Sequence, residues 1–268
     1  MAIATPQRVL ITGSSKGIGR ATAERFLRAG AQVVLNGRRE AELEATREQL
    51  SNIGPKLHVV AGDVSDAASA ADTVSAAVAK LGGLDVLVNN AGIAMRGRFD
   101  ETAPSVWERV FATNVLGTAY MTRAALPHLR ESRGSAVFVS SLVALWGFPL
   151  VSTYAASKMA LDGLVDSLRT ELQGSGVHLG ILYVGITQND DDKRILDAAG
   201  QPLPLAARGS ATPQSRVAEQ VYRLVRRRRP RRVLTLQGKL LNFVVHAAPW
   251  IMRLGMRFAG KRIRKLAK

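Results

Sequence analysis

The chain has 268 residues, 47% of them hydrophobic and 22% charged, enough apolar material for one large α/β domain or two small ones and too much for a disordered chain. It has no cysteine, which excludes a disulfide scaffold, a thiolate metal site and a cysteine nucleophile, and leaves stability to packing. The formal charge of +16 is concentrated: residues 216–268 hold 16 of the 37 basic side chains and a single acid, Glu219, so a nearly neutral body precedes a basic, apolar extension.

The first six residues are too few and too polar for a secretory signal and run straight into Val9-Leu10-Ile11, which reads as a first core strand. The expectation is a body kept in the cytoplasm. Short apolar runs bounded by turn residues then predict strands at 8–12, 32–36, 57–61, 86–89, 136–140, 178–183 and 232–236. Segments of helical period fill the intervals at 17–28, 39–53, 67–80, about 105–130, 153–173 and 213–227. The strands are apolar throughout rather than alternating, as strands buried on both faces are. Such β-α alternation implies an α/β fold of doubly wound, Rossmann type, with a parallel sheet between two helical layers. Residues 185–212 interrupt it with Gly, Pro and Asp and a short helical patch at 193–199. A connection of this length inside a domain is usually functional, and it reads as a substrate lid. The expected division is a catalytic domain at 5–236 and an extension at 237–268.

Where the first strand meets the first helix the chain reads Thr12-Gly13-Ser14-Ser15-Lys16-Gly17-Ile18-Gly19. Glycines let backbone approach a diphosphate, and the helix N-terminus offers free N–H groups and a partial positive charge. The alternative is a tight strand-to-helix turn without a ligand. A Walker A loop is excluded, because Lys16 precedes its glycine.

Tyr154 and Lys158 stand one helical turn apart and share a face. A nearby ammonium favours phenolate, drawing a tyrosine from its usual value near 10 toward neutrality, where a phenol can exchange protons with a carbonyl oxygen. Ser141 is placed to donate a hydrogen bond to the same oxygen.

The glycine turn, Asp63-Val64, Asn89-Asn90-Ala91-Gly92, Asn114, Ser140-Ser141 and Tyr154-x-x-x-Lys158 occur in this order over about 180 residues, and together they resemble the short-chain dehydrogenase/reductase family. The resemblance implies Tyr154 as general acid/base. It makes Lys158 the group that lowers the pKa of Tyr154 and binds the nicotinamide ribose, Ser141 the residue that orients substrate, and Asn114 the holder of a water linking Lys158 to solvent. It also implies Asp63 on the adenine amino group, Val64 on the ring, and Asn90, Ala91 and Gly92 along the adenine ribose. The competing reading of Asp63 is a cap on the next helix. Family members that prefer NAD carry an acid after the second strand, whereas this chain has Arg38 and Arg39, so the resemblance implies NADP(H), its 2′-phosphate clamped by Arg38 and Lys16. After the sixth strand the family's proline is missing; Gly185, Ile186 and Thr187 stand where the carboxamide would bind.

Arg226–Arg229, Arg231 and Arg232 form a cationic cluster, and 240–252 carries no formal charge. Thirteen residues are too few to span a bilayer. From Ile251 onward, Arg253, Arg257, Lys261, Arg264 and Lys268 gather on one helical side, with Ile251, Leu254 and Phe258 opposite. Three readings stay open for 226–268: attachment to an anionic membrane surface on its cytoplasmic face, packing on the body or a partner subunit, and nucleic-acid binding, the least favoured because no recognition module is present. The apolar stretch 142–151 points to a lipophilic carbonyl or alcohol such as a steroid, retinoid or long-chain carbonyl. Resemblance implies a homodimer or homotetramer. The alternative from another class is a membrane-associated, cofactor-binding scaffold without catalysis. No metal is expected.

Overall fold

The computed structural model describes residues 7–54, 56–205 and 211–256. Expectations placed on 206–210 of the connection, and on Arg257, Phe258, Lys261, Arg264 and Lys268 of the tail, lie outside the described residues.

Strands β1 (Arg8–Thr12), β2 (Gln32–Gly37), β3 (Leu57–Ala61), β4 (Val86–Asn89), β5 (Ser135–Ser141) and β6 (His178–Val184) alternate with helices α1 (Gly17–Leu27), α2 (Glu40–Leu50), α3 (Ala67–Leu81), α4 (Pro104–Phe111), α5 (Gly117–Glu131) and α6 (Ser152–Glu171). After a small hairpin of β7 (Arg194–Leu196) and β8 (Pro202–Pro204) come α7 (Gln214–Arg227), β9 (Arg231–Val233) and α8 (Leu236–Ala247). Seven strands form one parallel sheet in the order β3-β2-β1-β4-β5-β6-β9. The chain winds outward from β1 in one direction through β2 and β3, and in the other from β4, so a crevice opens at the C-terminal ends of β1 and β4, where open α/β sheets bind ligands.

Alternate residues of each strand feed different layers, which explains why the strands are apolar without a break. Leu10, Val34, Leu87, Phe138 and Ile181 face a layer made by α3, α5 and α6. Val9, Ile11, Val33, Val88 and Val137 face α1, α2 and α7. Both layers exclude water, and each fully buried aliphatic side chain contributes on the order of 1.5–3 kcal/mol. Helix α3 shows the local signals at work: Asp66 accepts a hydrogen bond from the Ser69 N–H at 2.7 Å at one end, and Gly82 takes φ +71° at the other, satisfying the open groups of each terminus.

Three elements differ from the sequence-based expectation. The long helix at 105–130 is two helices joined by a π-helical turn, Ala112–Leu116, which carries Asn114; such turns are frequent at functional sites. The helical patch at 193–199 is instead the β7/β8 hairpin, held by the pairing of Ile195 with Leu203 and by a bridge from Leu196 to Met95. The last strand ends at Val233 rather than at 236, because Thr235 caps α8 by accepting from the Gly238 N–H at 3.0 Å.

Candidate active site

Three segments are knitted together at the crevice. Thr12 Oγ accepts the N–H groups of Asn90 and Ala91, each at 3.0 Å, and Asn90 Nδ2 donates to the Thr12 and Gly13 carbonyls, each at 2.9 Å. The Asn90 side chain therefore braces the glycine turn. Gly13 has φ +61°, and a Cβ there would lie 2.8 Å from Ala91 Cα; at Gly19 it would lie 2.3 Å from the Gly13 carbonyl oxygen. No side chain fits either position, and this cradle of bare backbone at a helix N-terminus suits a diphosphate. Asn89, beside it, donates to Thr122 Oγ at 2.9 Å and ties β4 to α5.

Asn114 is fully buried. Its Oδ1 accepts from the Ile93 N–H at 2.7 Å, and its Nδ2 donates to the Ile93 carbonyl and to Ser157 Oγ, each at 2.9 Å. The side-chain amide thus straps the stretch after Gly92 to α6, and both of its N–H groups are spent on protein. A Cβ at Gly92 would lie 3.2 Å from Asn114 Oδ1 and 3.5 Å from Lys158 Nζ, which places all three residues around one small volume.

Ser141 ends β5 and its Oγ accepts from the Val143 N–H at 3.4 Å. Tyr154 lies near the start of α6. Burial pushes its phenol upward, and a hydrogen bond with Ser141 opposes that push. Lys158 Nζ lies 5.9 Å from the Tyr154 ring centroid and donates to the Val139 carbonyl at 2.9 Å. Burial, aided by Lys193, brings the Lys158 ammonium down to about 8. The expected lowering of the phenol is therefore not what this environment produces: its own desolvation dominates and holds it above the ordinary value, since charge is costly where water is excluded. Tyr154 packs beside an apolar cluster of Met95, Val106, Val110 and Leu196, so its hydroxyl stands between polar and apolar walls.

The remaining expected residues divide. Arg38 is exposed at the end of β2 and makes no ion pair among the described residues, whereas Arg39 pairs with Glu42 and Lys16 with Asp192. Asp63 accepts from both the N–H and the hydroxyl of Ser65, at 2.9 and 2.7 Å. Burial raises its carboxyl, but the Ser65 bonds and the Arg38 charge outweigh this and leave it below the ordinary value. The cap on α3 is Asp66, not Asp63. Val64 is buried in the core. Ser15 Oγ approaches Glu42 at 3.5 Å, and Ile18 packs against the layer of α1, α2 and α7. Past β6, the Ile186 carbonyl accepts from the Thr212 N–H at 2.9 Å and Thr187 Oγ donates to the Gly185 carbonyl at 3.3 Å, so Thr187 turns back on its own loop. Sequence reasoning missed Asp190, Asp192 and Lys193, which approach the glycine turn from the far side; the run Asp190-Asp191-Asp192 facing a cationic turn was the available signal. Among the described residues no cluster of metal-ligating side chains occurs.

A family model described as short chain dehydrogenase matches residues 7–199. A dehydrogenase/reductase SDR family protein 7-like from Anopheles gambiae is 31% identical over 258 residues, covering 91% of this chain and 81% of that protein. An 11-beta-hydroxysteroid dehydrogenase-like 4A from Arabidopsis thaliana is 38% identical over 184 residues, covering 68% of this chain and 61% of that one, so the match takes in less than two thirds of that relative. Among solved structures, a short-chain dehydrogenase from Streptomyces avermitilis has a TM-score of 0.79 at 26% identity, covering 97% of this chain and 99% of that one. The chain belongs to the short chain dehydrogenase family, whose members are oxidoreductases using a nicotinamide dinucleotide. Proteins of this fold have been solved with NAD in one case and 5-hydroxy-NADP in another.

Proposed function

We propose that the chain is an NADP(H)-dependent oxidoreductase that interconverts a lipophilic ketone or aldehyde with its alcohol. The observation that carries this reading is the convergence of Ser141, Tyr154 and Lys158 at the C-terminal end of β5 and the first turns of α6, with Asn114 fixing α6 against the stretch after Gly92. The nicotinamide, when bound, donates or accepts hydride. Tyr154 supplies the proton to the carbonyl oxygen in reduction and takes it back in oxidation. Ser141 donates a hydrogen bond to that oxygen as charge develops on it. Lys158, a few ångströms from the phenol, balances the charge the tyrosine gains on losing its proton.

The cofactor preference rests on Arg38. Its guanidinium is free to take a 2′-phosphate bidentately at the end of β2, and no acid stands there to receive a ribose hydroxyl. Lys16 joins only by leaving Asp192. The lipophilic substrate is supported by the apolar cluster around Tyr154, by the half-buried Leu142, Leu145 and Trp146 beyond Ser141, and by relatives named for hydroxysteroid dehydrogenation.

For the tail, contact with an anionic membrane surface is favoured by one observation. Leu236, Leu240, Phe243, Trp250, Ile251 and Leu254 are 43 to 82% exposed, on helices that no acid follows in the sequence. Among the described residues no helix is long and apolar enough to cross a membrane. Helix α8 roots beside the active site, since a Cβ at Gly238 would lie 2.7 Å from Leu142. Assembly as a homodimer or homotetramer is part of the same proposal.

Parallel titrations with NADPH and NADH, read by nicotinamide fluorescence on the wild type and on Arg38→Ala, test the cofactor reading. The expected result is tight NADPH binding that weakens about ten- to a hundredfold in the variant, as loss of a charge-assisted pair implies, with NADH unaffected. An unchanged NADPH affinity contradicts the assignment.

A further inference from the structure

We propose that Asp190 and Asp192 are internal competitors for the cofactor's phosphates, holding the connection after β6 against the glycine turn until the dinucleotide displaces them. The proposal rests on the reading of that turn as the cofactor-phosphate site. Asp190 Oδ2 accepts from the backbone N–H of Gly17, the first residue of α1, at 2.8 Å. Its Oδ1 accepts from Arg20 at 3.2 Å and from Gln214 Nε2 at 3.1 Å. Two residues further on, Asp192 accepts from Lys16 Nζ at 2.6 Å.

An anion at a helix N-terminus satisfies free N–H groups and meets the positive end of the helix dipole, which is the chemistry that holds a diphosphate. Gly17, Lys16 and Arg20, all on the turn or the first turn of α1, thus already carry carboxylates from the connection. The contacts are poised for exchange rather than locked. The Lys16 and Asp192 side chains are 37% and 65% exposed, and a pair so exposed contributes at most about 1 kcal/mol. A cavity of about 210 Å³ lined by Ser15, Lys16, Arg20, Thr46, Asp190 and Asp192 opens beside these contacts, giving an incoming phosphate a path to them. A diphosphate brings two linked charges to donors that the connection serves with separate carboxylates.

Lys193 gives the exchange its second half. Burial and the nearby Lys16 push its ammonium down, while Asp190 and Asp192 push it up. When the carboxylates leave, the phosphates that replace them supply the counter-charge Lys193 loses. Cofactor affinity and the position of the connection are then linked: the apparent dissociation constant is the intrinsic one divided by the fraction of molecules in which the carboxylates have left the turn.

The test compares the wild type with the Asp190→Asn/Asp192→Asn double variant in two measurements. NADPH binding is followed by nicotinamide fluorescence, and backbone hydrogen exchange at residues 186–193 is followed during titration with inorganic diphosphate alone. Competition predicts NADPH binding on the order of tenfold tighter in the double variant. It also predicts that diphosphate accelerates exchange in the wild type, whereas exchange in the variant is already fast and insensitive to diphosphate. A wild type that binds NADPH beside a variant that binds it equally or more weakly overturns the proposal and leaves the cofactor reading intact. If the wild type binds neither nucleotide, the cofactor reading fails, and exchange that diphosphate leaves unchanged overturns the competition as well. Should the double variant not fold, the wild-type exchange experiment decides in the same way.

Discussion

The Lys158 ammonium donates a 2.9 Å hydrogen bond to the carbonyl oxygen of Val139, two residues before Ser141, and so fastens the helix that carries Tyr154 to the strand that ends in the serine. A lysine buried to 5% exposure needs such an acceptor, because an unsatisfied buried ammonium would cost several kcal/mol or surrender its proton. Geometry and protonation are coupled here: the bond that sets the distance between Ser141 and Tyr154 also keeps a charge beside the phenol, although burial has brought that charge close to titrating at neutral pH.

Asn114 is the second fastening, and its removal should be felt in stability. Asn114→Ala leaves the N–H and C=O of Ile93 without their side-chain partner and empties the contact with Ser157. Loss of buried partners of this kind costs about 1–3 kcal/mol. Thermal unfolding of the variant should show a clearly lowered midpoint; one equal to the wild type's would mean that these bonds carry no net stability.

His178 gives the fold a dependence on acid. Its ring is buried between Ser135 Oγ and the Arg229 carbonyl. Burial, reinforced by Arg228 and Arg169 against the opposing Arg229 carbonyl bond, holds it down to about 4, from an ordinary value of 6.5. The unfolded chain therefore binds more protons between pH 6.5 and 4, and stability falls as pH drops through that window. The full loss attributable to this residue is about 3 kcal/mol. Urea unfolding at pH 7, 5.5 and 4.5 should show a steeper decline for the wild type than for His178→Gln; parallel declines would remove His178 as the cause.

How much of this was legible beforehand depended on how local the signal is. Strands β1 to β6 could be read because burial on both faces leaves unbroken apolar runs, and Tyr154 and Lys158 because four residues make one helical turn. The β7/β8 hairpin could not: its strands are three residues long, β8 has proline at both ends, and its stability comes from a bridge to Met95 about a hundred residues earlier. The π-helical turn at Asn114 was hidden because Ala112–Leu116 holds neither proline nor glycine to announce a break in the helix. Asp190 and Gly17 meet across 173 residues, a contact that no spacing motif encodes. The downward pull expected on Tyr154 was a statement about charge, and only the packed structure shows how strongly burial opposes it.

The exposed face of α8 should be separable from the fold. Leu240 and Phe243 are 63% and 66% exposed, and exposed substitutions usually change stability by less than about 0.5 kcal/mol. Leu240→Asp combined with Phe243→Asp should leave the unfolding midpoint in place while abolishing sedimentation with liposomes containing anionic lipid. Sedimentation equal to the wild type's would assign that face to something other than a lipid surface.

The central claim is that the Tyr154 hydroxyl exchanges the proton that accompanies hydride transfer. The most direct measurement is NADPH oxidation by the wild type and by Tyr154→Phe against a panel of lipophilic ketones, with NADPH binding followed on the same samples. The account predicts a variant that still binds NADPH while kcat falls by about 10²–10⁴-fold. A variant that turns over at the wild-type rate would contradict it.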